Sequence, residues 1–298
     1  MREYRFGESS IANAGVSPTG GFFVGVNYRR ISRARKVISY PGAGERDARG
    51  QGNPADDGVF KVDIATGEKT LLASYAHLAK ILAIAKRDYP IYAHHALVSR
   101  SGRHIFFLIR GRNNAWRNGY WGKHAFHPNA GLIIRADGTG LRRQSFDGHP
   151  EWAENDRLVV PGQTGFDLVD VASQKSVGRI GTEGVFRNTW EDNALSPNAV
   201  WHVASWNPTN STCIYTFFSR RSLFHVDSPP IQTMRRGSRH GTAVRIDPAP
   251  RWNRSGNAIL APGVAGDGTR QLFVISLKLR PEPEPVALLE VAARSAAD

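Results

Sequence analysis

The chain has a single cysteine, Cys213, in 298 residues. One thiol cannot build a disulfide framework, and it excludes a zinc site made of several cysteines. Set within "CIYTFF" (213–218), Cys213 is expected to be a small buried hydrophobe. Long apolar runs are also lacking. No window approaches the ~18–20 residues of a membrane-spanning helix, and "MREYRFGESS" (1–10) has no apolar signal-peptide core. The sequence as it stands therefore predicts a soluble, cytoplasmic protein with no membrane partner. RNP, KH, zinc-finger and helix-turn-helix patterns are absent too, which leaves nucleic-acid binding without a motif.

Negative charge is in short supply. Lys plus Arg number 39 against 26 Asp plus Glu, a net charge of +13. Such a surface favours an anionic small molecule, an acidic oligosaccharide or nucleic acid as partner. A charged fraction of 22% and a hydrophobic fraction of 41% are globular values, and 30 Gly with 17 Pro suit many short strands and turns.

What is present is a repeated unit, a Ser-Pro-x-Gly-like turn followed by an apolar strand. The copies are "SPTGGFFVGV" (17–26), "SRSGRHIFFLI" (99–109), "WAENDRLVVPG" (152–162), "SPNAVWHVASW" (196–206) and "NRSGNAILAPG" (253–263). Pro and Gly favour tight turns between antiparallel strands, and Val, Ile and Phe suit half-buried strands. Each copy is followed by further strand pattern. "VDIATGEKTLL" (62–72) and "RADGTGLRRQS" (135–145) each read as strand, polar Gly turn and returning strand.

Repeats of roughly 45–80 residues, each worth about four strands, predict an all-β β-propeller. Five turn-strand anchors favour five four-stranded blades over seven of about 42 residues; a β-sandwich is the other alternative. The expected layout is one propeller over 1–291 with a C-terminal tail at 292–298. Two insertions interrupt it: a basic, Gly-rich excursion at 29–57, and 74–88, where Tyr75, Leu78, Leu82 and Ala85 at helical spacing predict one short amphipathic helix.

In a propeller the segments leading into each turn gather at one end of the central axis. Here they contribute His94, His95, His149, Glu151, Asp192, Asn193, Asp247 and Arg251. Imidazoles with carboxylates can bind a divalent metal, Mn among them, so His95, His149, Asp192 and Asp247 are the candidate metal ligands. Trp152 and Trp252 hold equivalent places and are expected to pack between blades. Candidate binding residues come from two further segments. The loop 110–131 carries Arg110, Arg112, Trp116, Tyr120 and Trp121, which suit stacking on sugars or bases and bidentate grip of an anion. The run 233–245 adds His240 and Arg245, and Arg251 follows at the next turn.

The segments "HHALVSRSGRHIFFLIR" (94–110), "GHPEW" (148–152) and "DPAPRWNRSG" (247–256) resemble the oligogalacturonate lyase group of TolB/WD40-like propellers over residues 55–277. That resemblance implies Mn²⁺ held by three His and a Gln, and β-elimination on acidic sugars. His149 matches the histidine of the Gly-His segment. At the Gln-x-x-His-Pro-His-Pro-Arg stretch this chain has Val244, Asp247, Pro248, Ala249, Pro250 and Arg251. Gln is thus replaced by Val and the two His by Asp and Ala, while Pro-x-Pro-Arg is kept. Two functions follow: a carbohydrate-active protein, lyase- or hydrolase-like, acting on an acidic saccharide, or a non-catalytic propeller that captures a protein or glycan partner through its loops.

Overall fold

The computed structural model describes residues 3–6, 10–34, 52–84, 90–111, 128–146, 148–187, 192–233, 246–279 and 287–293. The fold is all-β; the described residues hold two short α-helices, and every strand pairing among them is antiparallel. The chain divides into two compact units, Met1–Asp147 and Gly148–Asp298. Among the described residues, no helix is long and apolar enough to cross a membrane.

The first unit holds two four-stranded sheets. One runs β1 (Ile11–Val16), β2 (Phe22–Asn27), β3 (Gly58–Asp63), β4 (Lys69–Ser74). The other runs β5 (Ile91–Val98), β6 (His104–Gly111), β7 (Asn129–Arg135), β8 (Arg142–Arg143). The second unit holds three sheets. They are β9 (Glu151–Trp152) to β12 (Lys175–Ile180) through β10 (Arg157–Pro161) and β11 (Phe166–Asp170); β13 (Asn193–Leu195), β14 (Trp201–Thr209), β15 (Thr212–Ser219) and β16 (His225–Asp227), with β17 (Ile231–Gln232) also on β15; and β18 (Arg251–Trp252), β19 (Ala258–Val264), β20 (Arg270–Leu279), β21 (Ala287–Ala293). Each of the five sheets is therefore a consecutive meander, the arrangement that fits propeller blades.

The repeated turn is one hydrogen-bonded device. In four sheets the residue at its start donates its N–H across the hairpin: Ser17 to Phe22, Ser99 to His104, Ser196 to Trp201 and Asn253 to Ala258, at 2.8–2.9 Å. Its carbonyl then accepts an N–H three residues on, from Gly20, Gly102, Ala199 and Gly256. Three side chains secure the same corner: the Ser99 and Ser196 hydroxyls and the Asn253 amide oxygen accept from His104, Trp201 and Ala258 N–H at 2.9–3.2 Å. "WAENDRLVV" departs from this pattern. It is a 3-10 turn, Glu154–Asp156, with Ala153 N–H donating to the Arg157 carbonyl, and Asn155 and Asp156 at φ 57° and 53° supply the left-handed backbone that glycine supplies in three of the other copies and Ala199 in the fourth.

First strands of successive sheets lie side by side: β1 packs on β5 in the first unit, and β13 lies between β9 and β18 in the second. The approach at β1–β5 is so close that a Cβ on Gly15 would collide with the Ala96 carbonyl, so this strand needs glycine there. Behind the first strands β2, β6 and β7 are buried almost throughout, which is why they read as continuous apolar runs. Val24, Val59, Leu78, Ile91, Ile105, Phe107, Leu132 and Ile134 form one core in the first unit. Phe217, Tyr215, Ile259 and Ile275 centre one core of the second unit, and Phe166, Phe186, Val159 and Phe218 centre another. Cys213 is fully buried in the former, as its apolar neighbours imply.

Both insertions contain a short helix. The excursion after β2 begins as α1 (Tyr28–Ala34), capped by Asn27, whose amide oxygen accepts from the N–H of Arg29 and Arg30. Its return is tied down by Arg30, which donates to the carbonyls of Ile91 and Gly52 and to the Asn53 side chain, and lies 4.3 Å over the Tyr75 ring. Burial raises the Asp57 carboxyl in this network, with the Asn27 amide bonded to it at 2.9 Å. The second helix, α2 (Tyr75–Ile81), starts at its Ser74 cap and buries Tyr75, Leu78 and Ala79. It is shorter than the spacing suggests, because Ala83 turns the backbone to φ 54° and ends it.

Candidate functional site

Two of the residues expected near an axis come together. His149 Nδ1 lies 2.9 Å from Asp192 Oδ1, within ion-pair distance. His149 sits in the lead-in to β9 and Asp192 in the lead-in to β13, and these neighbouring first strands bring the two lead-ins to one place. Their backbones are pinned independently. The buried Asn193 amide donates to the His149 carbonyl at 2.7 Å, and the buried Ser205 gives both its N–H and its hydroxyl to the Asp192 carbonyl at 3.0 Å. Gly148, at φ 104°, makes the bend that delivers His149.

The His149 side chain is 32% exposed and the Asp192 side chain 16%. The contact is one of ion-pair distance at Nδ1, without hydrogen-bond geometry toward Asp192. Nearby, burial, followed by Cys213 and Asp192, pushes the Tyr215 phenol up, so that it stays neutral. The arrangement places an imidazole beside a carboxylate at the lead-ins of two neighbouring first strands.

The remaining candidates are placed as follows. His95 belongs to the first unit and is exposed, at a register shift between His94 and Leu97 with φ 51°. That bulge lets His94 stay buried beside Tyr92 while the two imidazoles meet edge to face at 4.4 Å. Asp247 is exposed, and its carbonyl accepts the Ala249 N–H in a tight turn. Arg251, exposed on β18, donates to the Pro250 carbonyl. Arg110 is buried on β6 and donates to Asn129 at 2.8 Å; with Gly111 N–H bonded to Pro128, it closes the base of the loop that follows. Arg112, Trp116, Tyr120, Trp121, His240 and Arg245 lie outside the described residues, as does Val244. Trp152 is buried, and Trp252 donates Nε1–H to Ala194 at 3.1 Å while its ring meets Phe217 edge-on, so both serve packing.

Among the described residues, no group of three or more His, Cys, Asp or Glu could hold a metal ion. His149 and Asp192 supply two donors, which is short of the four-ligand set that the lyase resemblance implies. One feature the sequence did not flag is His202. It is fully buried on β14, tilted against Phe166 at 4.6 Å and edge-on to Phe186 at 5.4 Å, and neither ring nitrogen has a hydrogen-bond partner. Burial, followed by the Arg220 cation, lowers it to about 3.

No protein-family model and no curated protein matches the chain. Solved structures do. TolB from Acinetobacter baumannii superposes with a TM-score of 0.50 at 10% identity, over 90% of this chain and 52% of that one. A protein assigned as TolB from Agrobacterium tumefaciens gives 0.43 at 12% identity, over 90% and 77%. Hydrazine synthase from Kuenenia stuttgartiensis gives 0.43 at 13% identity, over 89% and 64%. The chain spans about half the length of the Acinetobacter TolB structure. At such identities the likeness is one of fold and says nothing of activity. The fold is all-β, with sheets that fit a propeller of the TolB kind.

Proposed function

We propose that this protein is a five-bladed propeller that binds an acidic saccharide beside His149 and Asp192, with His149 as the proton-transferring group. The observation that carries this reading is the 2.9 Å approach of His149 Nδ1 to Asp192 on two separately pinned lead-ins. β-Elimination from a uronate needs the substrate carboxylate neutralised and the acidified C5 proton removed. His149 Nε2 would remove that proton while the C4–O4 bond breaks and the C4=C5 double bond forms, the departing O4 would take a proton from water, and Asp192 would stabilise the imidazolium until it gives its proton back to solvent. Arg251, on the third of the neighbouring first strands, would meet the uronate carboxylate. A net charge of +13 favours such a ligand over a neutral glycan.

The test is a melting-temperature shift with oligogalacturonate, because a ligand that binds only the folded chain stabilises it by about 2.7 kcal/mol at a hundredfold excess over Kd. Stabilisation in the native protein and its loss in His149→Ala support the reading; no shift with any uronate oligomer refutes it.

A second reading has its own observation. The Arg110–Asn129 clamp closes the base of a loop rich in Trp, Tyr and Arg, a composition suited to capturing a protein or glycan without turnover. It predicts that deleting 112–127 abolishes partner capture while leaving uronate binding intact.

A further inference from the structure

We infer that Arg187, laid over the indole of Trp206, is a second carboxylate-binding residue beside the His149–Asp192 pair, so that the site meets two neighbouring acid groups of one saccharide chain. The inference rests on the reading of that pair as a saccharide site, and adds the residue that selects an oligomer of uronates over a single one.

The placement follows from strand register. Ser205 on β14 holds the Asp192 carbonyl through its N–H and its hydroxyl, and Trp206 is the next residue along. Asn193, whose amide grips the His149 carbonyl, pairs directly with Ala204, so these two share a sheet face. Trp206 lies two residues on from Ala204 and belongs to that same face. It therefore stands at the end of β14, and on the side of it, where His149 and Asp192 are held. Arg187 reaches the indole from the segment after β12. Its predecessor Phe186 is buried among Phe166, His202 and Phe218 at 5.1–5.9 Å, which fixes where the chain emerges. The Arg187 guanidinium then lies 4.6 Å from the centre of the Trp206 ring.

Two features of this stack point to a ligand. Arg187 is exposed and has no acidic side chain within ion-pair distance among the described residues. The Trp206 Nε1–H is buried and has no acceptor, a state that proteins seldom leave uncompensated. A guanidinium held against an aromatic face has less freedom to lose when its N–H fork grips a carboxylate bidentately. A carboxylate also brings the acceptor oxygens that the stack lacks. Arg251 lies on β18, and β13 stands between β18 and β9, whereas Phe186 carries Arg187 out on the side of the β9–β12 sheet. The two arginines thus flank the β13 lead-in, an arrangement suited to successive uronates of one chain; a monocarboxylate would use only one of them.

Calorimetric titration of the whole chain with trigalacturonate, and with its fully methyl-esterified form as comparator, tests this. The native protein should bind the free acid at least roughly tenfold tighter than the ester. Arg187→Gln should lose roughly tenfold in affinity for the acid, the scale of one hydrogen bond to a charged group, while binding the ester as the native protein does. Arg187→Lys, which keeps the charge without the fork, should recover only part of the loss. Both variants alter an exposed side chain and should melt as native protein does. Native affinity for the acid in Arg187→Gln, or an equal loss for acid and ester, would overturn the Arg187 assignment and leave the His149–Asp192 reading standing. No binding of either form by the native protein would refute that reading, and the assignment with it.

Discussion

His202 makes the folded protein sensitive to acid by a calculable amount. Its imidazole lies among Phe166, Phe186 and the strands of β13–β15 with no hydrogen-bond partner for either nitrogen, and it titrates at about 3 instead of 6.5. The folded value lies below the unfolded one. Above pH 6.5 both states are neutral and the residue contributes no pH dependence. As pH falls from there the unfolded chain takes up a proton that the folded chain refuses, so stability drops until the folded value near 3 is passed. At 1.36 kcal/mol per pKa unit the whole loss is on the order of 5 kcal/mol, about 1.4 kcal/mol for each pH unit. That is a large part of an ordinary domain's ~5–15 kcal/mol. Replacing His202 by Phe removes the titrating group and keeps an aromatic ring against Phe166, at a packing cost of about 1–3 kcal/mol that does not vary with pH. Urea denaturation of both proteins between pH 7 and about pH 4 measures the difference. The native stability should fall more steeply than that of His202→Phe by one proton's worth across this range. A difference that stays constant with pH would falsify the assignment of a buried neutral imidazole.

Other residues give shorter tests. Gly15→Val places side-chain atoms against the Ala96 carbonyl and should cost about 2 kcal/mol or more, read as a lower melting temperature; an unchanged melting point would mean that β1 and β5 are not so close. Arg220 grips Glu154 through both guanidinium ends, at 2.6 and 3.0 Å, and also bonds the Ala199 carbonyl at 2.8 Å. Arg220→Ala should therefore destabilise by about 2 kcal/mol in denaturant titration, far above an ordinary surface pair. Asp192→Asn should leave the melting temperature of the unliganded chain within about a degree of native, yet sharply reduce any turnover, because an amide can present an N–H to Nδ1 and favour the wrong tautomer.

The turn-strand repeat was legible because its chemistry is local. Ser or Asn at the corner, Gly three residues later and an apolar run behind it specify the same hydrogen bonds wherever they occur, and four of the five copies form them identically. The fourth copy keeps the turn with Ala199 at φ 57° in place of glycine, whereas the third, with Ala153 instead of Ser or Asn at its corner, folds as a 3-10 turn. Short first strands such as β9, β13 and β18 are two or three residues long, too little for any periodicity to register. His149 and Asp192 could be named together because both lead into first strands, but their approach depends on how neighbouring strands pack. His94 is buried and His95 exposed, and a bulge with a positive φ rather than plain strand alternation separates them. His202 was overlooked in "VWHVAS" (200–205), where Trp201 and Val203 on one face hid that the other face is buried as well.

The proposed chemistry centres on the His149–Asp192 pair. Its most direct test compares native protein, His149→Ala and Asp192→Asn for turnover of a uronate oligomer, followed by ultraviolet absorbance of the unsaturated product, alongside calorimetric binding of the same oligomer. The account predicts turnover in the native protein, none in His149→Ala, and a fall of about ten-thousandfold in Asp192→Asn, the scale seen when an imidazole loses its orienting carboxylate. Equal turnover or equal binding in all three proteins would contradict it.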